Sequence, residues 1–242
     1  MHKIYKLIIL LGSIAIALIF NNGCSAKFDR SRIRSLNIEA RKYHDLGLQL
    51  SRENRIDDAI AAYTKSIEIN PSAGAYTGRS AEYIRKGAYD MAISDANQAI
   101  FLNYKYPLPY FNRGNAYFKK NDFDSALKNY SRAIALDPSQ AEFYFNQGLA
   151  HARMGRDDKA LESYERAVKI NPRNASAYYN LACIYSEKNE AANSLSCLEK
   201  AVSGGFSDAA RMKQEAALKN VGNTPRFRAL LKKLEKKRQG GQ

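Results

Sequence analysis

The side chains best suited to chemistry are scattered along this 242-residue chain. The three histidines, His2, His44 and His151, lie far apart, and Cys24, Cys183 and Cys197 show no metal-ligand spacing. No nucleophile motif or glycine-rich phosphate loop occurs. The chain is therefore expected not to be an enzyme, and it implies no cofactor or metal. What recurs is carboxamide. Asn112, Asn146 and Asn180 stand 34 residues apart, and Asn115 follows the first of them. A carboxamide both donates and accepts, so a column of them can pair with the backbone of an extended peptide; the plainer alternative is that they are solvated. Basic residues recur too, as Arg52, Arg85, Lys119 and Arg153, before Glu187 breaks the series. Such a column would favour an acidic peptide or a terminal carboxylate. Equally, these residues end helices, where a cation suits the helix dipole. Phe111, Phe118, Phe145 and Tyr179 fall near the same positions and could anchor a ligand or pack between helices.

These residues share a period, and the period defines the elements that carry them. In Pro107–Gln140, Tyr110, Gly114 and Tyr117 are spaced i, i+4, i+7, as are Ala126, Tyr130 and Ala133. Each trio forms one stripe of a helix. Asn121 between them tolerates the left-handed conformation of a tight turn, and Pro138 ends the unit. Ala59, Ala92, Ala126, Ala160 and Ser194 mark five such units at steps of 33 or 34. The fourth position is always tyrosine: Tyr43, Tyr76, Tyr110, Tyr144 and Tyr178. The eighth is always small: Gly47, Ser80, Gly114, Gly148 and Ala182. The turn residue is Asn54, Gly87, Asn121, Gly155 or Asn189. The closing proline is Pro71, Pro138 or Pro172, with Tyr104 and Phe206 as departures. A helix of about fourteen residues is marginal alone in water, so each pair must be covered by the next.

This pattern resembles the tetratricopeptide repeat. The resemblance covers residues 40–208 as five repeats, 40–72, 73–106, 107–140, 141–174 and 175–208. It implies an all-α, right-handed α-solenoid whose concave face is lined by the first helix of each pair, with a protein or peptide partner in that groove. Asn112, Asn115, Asn146, Asn180, Arg85, Lys119, Arg153, Phe111, Phe145 and Tyr179 are the groove residues it implies. Phe111 stands where chaperone-tail-binding members have lysine, so that specialised activity is not implied.

The ends of the chain are distinctive. Met1–Lys6 is basic, and Leu7–Phe20 is an uncharged apolar run of fourteen residues, short for a membrane span. This matches a secretory signal. Gly23-Cys24 directly after it resembles the processing site of a bacterial lipoprotein, which implies residues 1–23 as signal peptide and an acylated Cys24. Cleavage after Ala26 and an uncleaved membrane anchor are the alternatives. The expected location is the cell envelope outside the cytoplasm, on a membrane such as the periplasmic side of an outer membrane. The formal charge of +14 concentrates at both ends: six Lys/Arg against two acids in Lys27–Lys42, and ten against two in Arg211–Gln242. Residues 24–39 are read as a basic connector. Residues 209–242 are read as basic capping helices and a tail, with Ser207–Val221 one Ser-capped helix and a second starting at Thr224-Pro225. The expectation is a non-catalytic, membrane-held scaffold for a protein partner, with nucleic acid not the expected partner. The second reading is a basic module that holds an anionic polymer or membrane through the C-terminal helices.

Overall fold

The computed structural model describes residues 30–239, so the apolar N-terminal run and Cys24 lie outside the described residues. Ten helices form five antiparallel pairs: α1 (Arg30–Arg52) with α2 (Ile56–Ile69), α3 (Ala73–Lys86) with α4 (Tyr89–Leu102), α5 (Pro107–Lys119) with α6 (Phe123–Leu136), α7 (Ala141–Arg153) with α8 (Asp157–Ile170), and α9 (Ala175–Glu187) with α10 (Ala191–Ser203). Each first helix packs on its own second helix and on the second helix before it, an all-α solenoid with no strand among the described residues.

The turn chemistry is as the sequence predicts. Asn54, Asn121 and Asn189 take φ near +60°, and Gly87 and Gly155 take +82° and +65°. Small residues at the eighth position are needed because a tyrosine of the second helix lies against them. A Cβ on Gly114 would stand 2.7 Å from the Tyr130 ring, and one on Gly148 would stand 2.6 Å from Tyr164. The two repeats that lack this glycine close the crossing differently. The Ser80 hydroxyl donates to the Ala92 carbonyl, and the Ser194 hydroxyl donates to the Ala182 carbonyl, each at 2.8 Å. A buried hydroxyl with a backbone partner thus stands in for the glycine–tyrosine contact, whose ring position is Ala96 or Leu198 in these two repeats.

The C-terminal region departs from expectation. Ser207–Val221 is not one helix, and its cap is Asp208, whose carboxylate accepts from the Arg211 N–H. A short helix α11 (Ala209–Gln214) stops at Glu215, a 3-10 turn spans Ala216–Leu218, and α12 is Lys219–Gly222. The reason is geometric. Met212, Leu218 and Val221 are all buried, yet in one straight α-helix Met212 would point about 120° away from Leu218 and about 180° away from Val221. The break turns Leu218 and Val221 onto α9. After the turn, Thr224 caps α13 (Pro225–Gln239) as expected, accepting from the Phe227 N–H at 3.2 Å. Phe227, Leu230 and Leu234 of α13 are buried. Asn220 donates to the Ser186 carbonyl one repeat earlier, so this region continues the solenoid as a degenerate sixth pair.

Candidate peptide-binding face

The residues expected to line one groove do not behave alike. Asn112 is only 8 % exposed, and its amide donates to the Thr77 carbonyl of the preceding first helix at 3.0 Å. It bolts repeat three to repeat two and corrects the expectation of a uniform asparagine column. Asn180 pairs with the Tyr164 hydroxyl. Asn115 accepts from the Tyr130 hydroxyl at 2.9 Å and is half-buried. Asn146 is half-buried and makes no side-chain hydrogen bond among the described residues. Burial raises the phenols of Tyr130 and Tyr164 above their ordinary value, so both keep the proton that such pairing uses.

The aromatic anchors need a larger correction. Phe111 is 6 % exposed and packs between Phe143 and Tyr130, with ring centroids 4.8 and 5.8 Å away. Tyr179 is 2 % exposed, stacks on Phe206 at 4.5 Å and lies under the Arg211 guanidinium at 4.8 Å. Both are core residues. Phe145 is half-buried and leans on Tyr164 at 5.9 Å. That stacking on Tyr179 accounts for Phe206, a departure from the closing proline.

The basic column also divides. Arg85 is already engaged, donating to Glu82 at 2.7 Å and to the Ser51 carbonyl at 3.3 Å, as well as to Asn54. Glu82 is buried and accepts from the Ser51 hydroxyl, so Arg85 neutralises a buried carboxylate and is not available to a ligand. Lys119 and Arg153 are exposed, and the Arg153 guanidinium lies 5.7 Å from the Phe118 ring of the preceding repeat. The accessible first-helix face therefore centres on repeats three and four, where Lys119, Arg153, Asn146 and part of Phe118 and Phe145 remain open.

One polar system was missed. The seventh position reaches its own second helix and the second helix before it. Arg79 donates to both carboxylate oxygens of Asp95, at 2.7 and 2.9 Å, and to Thr64. Arg113 donates to Asn129 and Asn97, and Gln147 contacts Ser131 and Ser163. Leu181 and Cys197 stand at the matching places of repeat five. The signal was present as polar pairs sixteen residues apart at one repeat position. On the surface, Lys86–Asp57, Lys120–Asp90 and Lys188–Asp158 join successive repeats. Where Met154 replaces the lysine, Arg156 stands in at 3.8 Å from Asp124. Such exposed pairs contribute little.

Cys183 and Cys197 are free thiols, pushed by burial up to about 12 and about 11, so both stay protonated and unreactive. Among the described residues no His, Cys, Asp and Glu cluster could hold a metal ion, and no helix is long and apolar enough to cross a membrane.

An all-α solenoid of 34-residue helix pairs with tyrosine, glycine and positive-φ asparagine at fixed places is a tetratricopeptide architecture, and sequence comparison finds these repeats in the chain. A family profile described as TPR repeat matches residues 114–155 and 152–189, and one described as tetratricopeptide repeat matches residues 40–72. Among solved structures, the chain is similar to MamA, at 27 % identity over 65 % of this chain and 93 % of that one, with a TM-score of 0.58. It is also similar to YrrB, described as a TPR protein with an unusual peptide-binding site, at 27 % identity over 67 % of this chain and 84 % of that one, with a TM-score of 0.53. Pseudomonas aeruginosa pilF shares the fold at a TM-score of 0.73 and 18 % identity, over 84 % of this chain and 91 % of that one. The human serine/threonine-protein phosphatase 5 is 43 % identical over 58 residues, 24 % of this chain. The chain matches only 12 % of that phosphatase's length.

Proposed function

We propose that this protein is a non-catalytic scaffold, held at a membrane through its N-terminal segment, that binds an extended segment of a protein partner along its first-helix face. The observation that carries the reading is the accessible patch of repeats three and four. Lys119 and Arg153 offer cations, Asn146 offers an unpaired carboxamide, and Phe118 and Phe145 offer partly open rings, all on helices that share one orientation. A carboxamide satisfies backbone groups of either polarity, and two neighbouring cations favour a peptide with acidic side chains. The likeness to YrrB supports a peptide as the partner class. The N-terminal tether rests on the basic start, the apolar run Leu7–Phe20 and Cys24.

The test is site-specific photocrosslinking in the full chain. A photoreactive residue at position 146 should capture a protein partner, and one at exposed position 132, on the second-helix face, should not. Capture from position 132 and none from position 146 would overturn the reading. Cys24→Ala should abolish lipid labelling and release the chain from membranes. Wild-type protein that stays unlabelled at full precursor mass would refute acylation.

A further inference from the structure

Alternating helix directions give the solenoid two edges, and every second helix ends, and every first helix starts, on the same one. Three unusual features lie there. The first is the N-terminal extension of α1, which runs ten residues beyond the start of its repeat at Ala40. Its Ile38 is 62 % exposed, Ile33 and Leu36 are also exposed, and Asn37 accepts from Asn70 in the first inter-repeat turn. The second is the turn between α4 and α5. Phe101 is 76 % exposed and Tyr104 is 60 % exposed, with Leu108 and Lys105 also exposed. At the position of Phe101 the other repeats carry Glu68, Ala135, Lys169 and Ser203, and at that of Leu108 they carry Arg41, Gly74, Glu142 and Ser176. Apolar residues thus replace polar or small ones at this turn alone. The third is the end of α13, where Leu234 and Glu235 line a cleft with the turn at Gly205–Asp208, so the exposed Lys232, Lys233 and Lys236 reach the same edge.

The acids of this edge are partly occupied. Asp137 accepts from Ser139 and Gln140, Asp208 caps α11, and Glu68 faces Lys65. Exposed aromatics beside lysines suit the headgroup layer of a bilayer, where rings sit at the apolar boundary and ammonium groups stay with phosphates.

We propose that this edge is a second interaction surface and lies against an anionic bilayer. The direction of the chain selects that occupant. Its apolar N-terminal run joins the solenoid at this edge, through Arg30. A tether beginning at Cys24, six residues earlier, spans about 20 Å at most when extended. It would hold the edge with Ile38, Phe101 and Tyr104 toward the membrane, leaving the opposite edge and the first-helix face open to the partner. The inference rests on the membrane tether proposed above.

The chain contains no tryptophan, so a single introduced indole reports its own surroundings. Full-length Phe101→Trp and, on the opposite edge, Arg156→Trp would each be reconstituted into phosphatidylglycerol-containing vesicles with brominated acyl chains. The expected result is strong loss of indole emission in the Phe101→Trp protein and little change in the Arg156→Trp protein. In a Lys232→Glu, Lys233→Glu, Lys236→Glu background the loss at position 101 should shrink. A chain that fails to float with vesicles defeats the tether and this inference together. A chain that floats with the indole at position 101 unquenched, as when another protein covers the turn, defeats this inference alone. Equal quenching at both positions also overturns it. Circular dichroism checks folding, which a substitution at so exposed a residue should leave intact.

Discussion

Residues of one type at one repeat position can do opposite work. Asn112 secures a buried backbone carbonyl, whereas the carboxamide of Asn146, one repeat later, has no hydrogen-bond partner among the described residues. Asn112→Ala should therefore destabilise by about 0.5–1.5 kcal/mol, because the bond between repeats is lost while the Thr77 carbonyl keeps its place in the α3 ladder. Asn146→Ala should leave the melting transition in place and weaken partner binding; paired denaturation and binding curves check both. His151 behaves differently again. Its Nδ1 is buried without a partner, and burial, then Lys159 and Arg156, hold its pKa below the ordinary value. With the folded value depressed, the unfolded chain takes up the proton first as pH falls below about 6.5. Stability is thus full above that value and is lost on further acidification through the folded pKa. His151→Gln should flatten the fall in melting temperature from neutral to mildly acidic pH. A wild-type profile no steeper than the variant's would show that the imidazole is not held neutral by the fold.

At the scale of elements, the ladder of the seventh position replaces apolar packing where it is scarce. The buried residues of α3 and α4 are small or polar, Ala75, Thr77, Ser80, Glu82, Ala92, Asp95, Ala96 and Ala99. Arg79→Ala would strand the Asp95 carboxylate among them, at a cost of about 3–5 kcal/mol. Arg79→Met with Asp95→Leu should restore most of that loss, and urea titration of the three proteins distinguishes pair removal from partner removal. Much of the element plan was legible beforehand. Asn54, Asn121 and Asn189 declared their turns, because few other side chains tolerate positive φ. The break at Glu215 was not legible. The run through Met212, Ala216, Ala217 and Leu218 favours helix locally, and only the need to bury Met212, Leu218 and Val221 together interrupts it. The site was legible by position rather than by role. Periodicity placed Phe111, Tyr179 and Arg85 near a shared face, but the contacts that bury or engage them, with Phe143, Phe206 and Glu82, follow from packing that spacing does not specify.

In the whole molecule, large buried side chains gather toward the C-terminal end. Repeats four and five share one apolar cluster with α11 to α13, whereas that of the first pair consists of Leu50, Ala59, Ala62 and Tyr63. Phe227→Ala in α13 should cost about 3–5 kcal/mol. Because solenoid units stabilise only their neighbours, amide exchange should quicken first in α9 and α10 and spare α1 to α4. Uniform quickening along the chain would instead indicate a single cooperative unit. The same uneven make-up has a thermal consequence. Exposing apolar surface raises the heat capacity on unfolding, and exposing polar surface lowers it. The half knit by Arg79, Asp95 and Arg113 and the half knit by Leu198, Met212 and Phe227 therefore have stability curves of different curvature. Cooling weakens the apolar-knit end more than the polar-knit one, so temperature itself selects which end of the solenoid opens first.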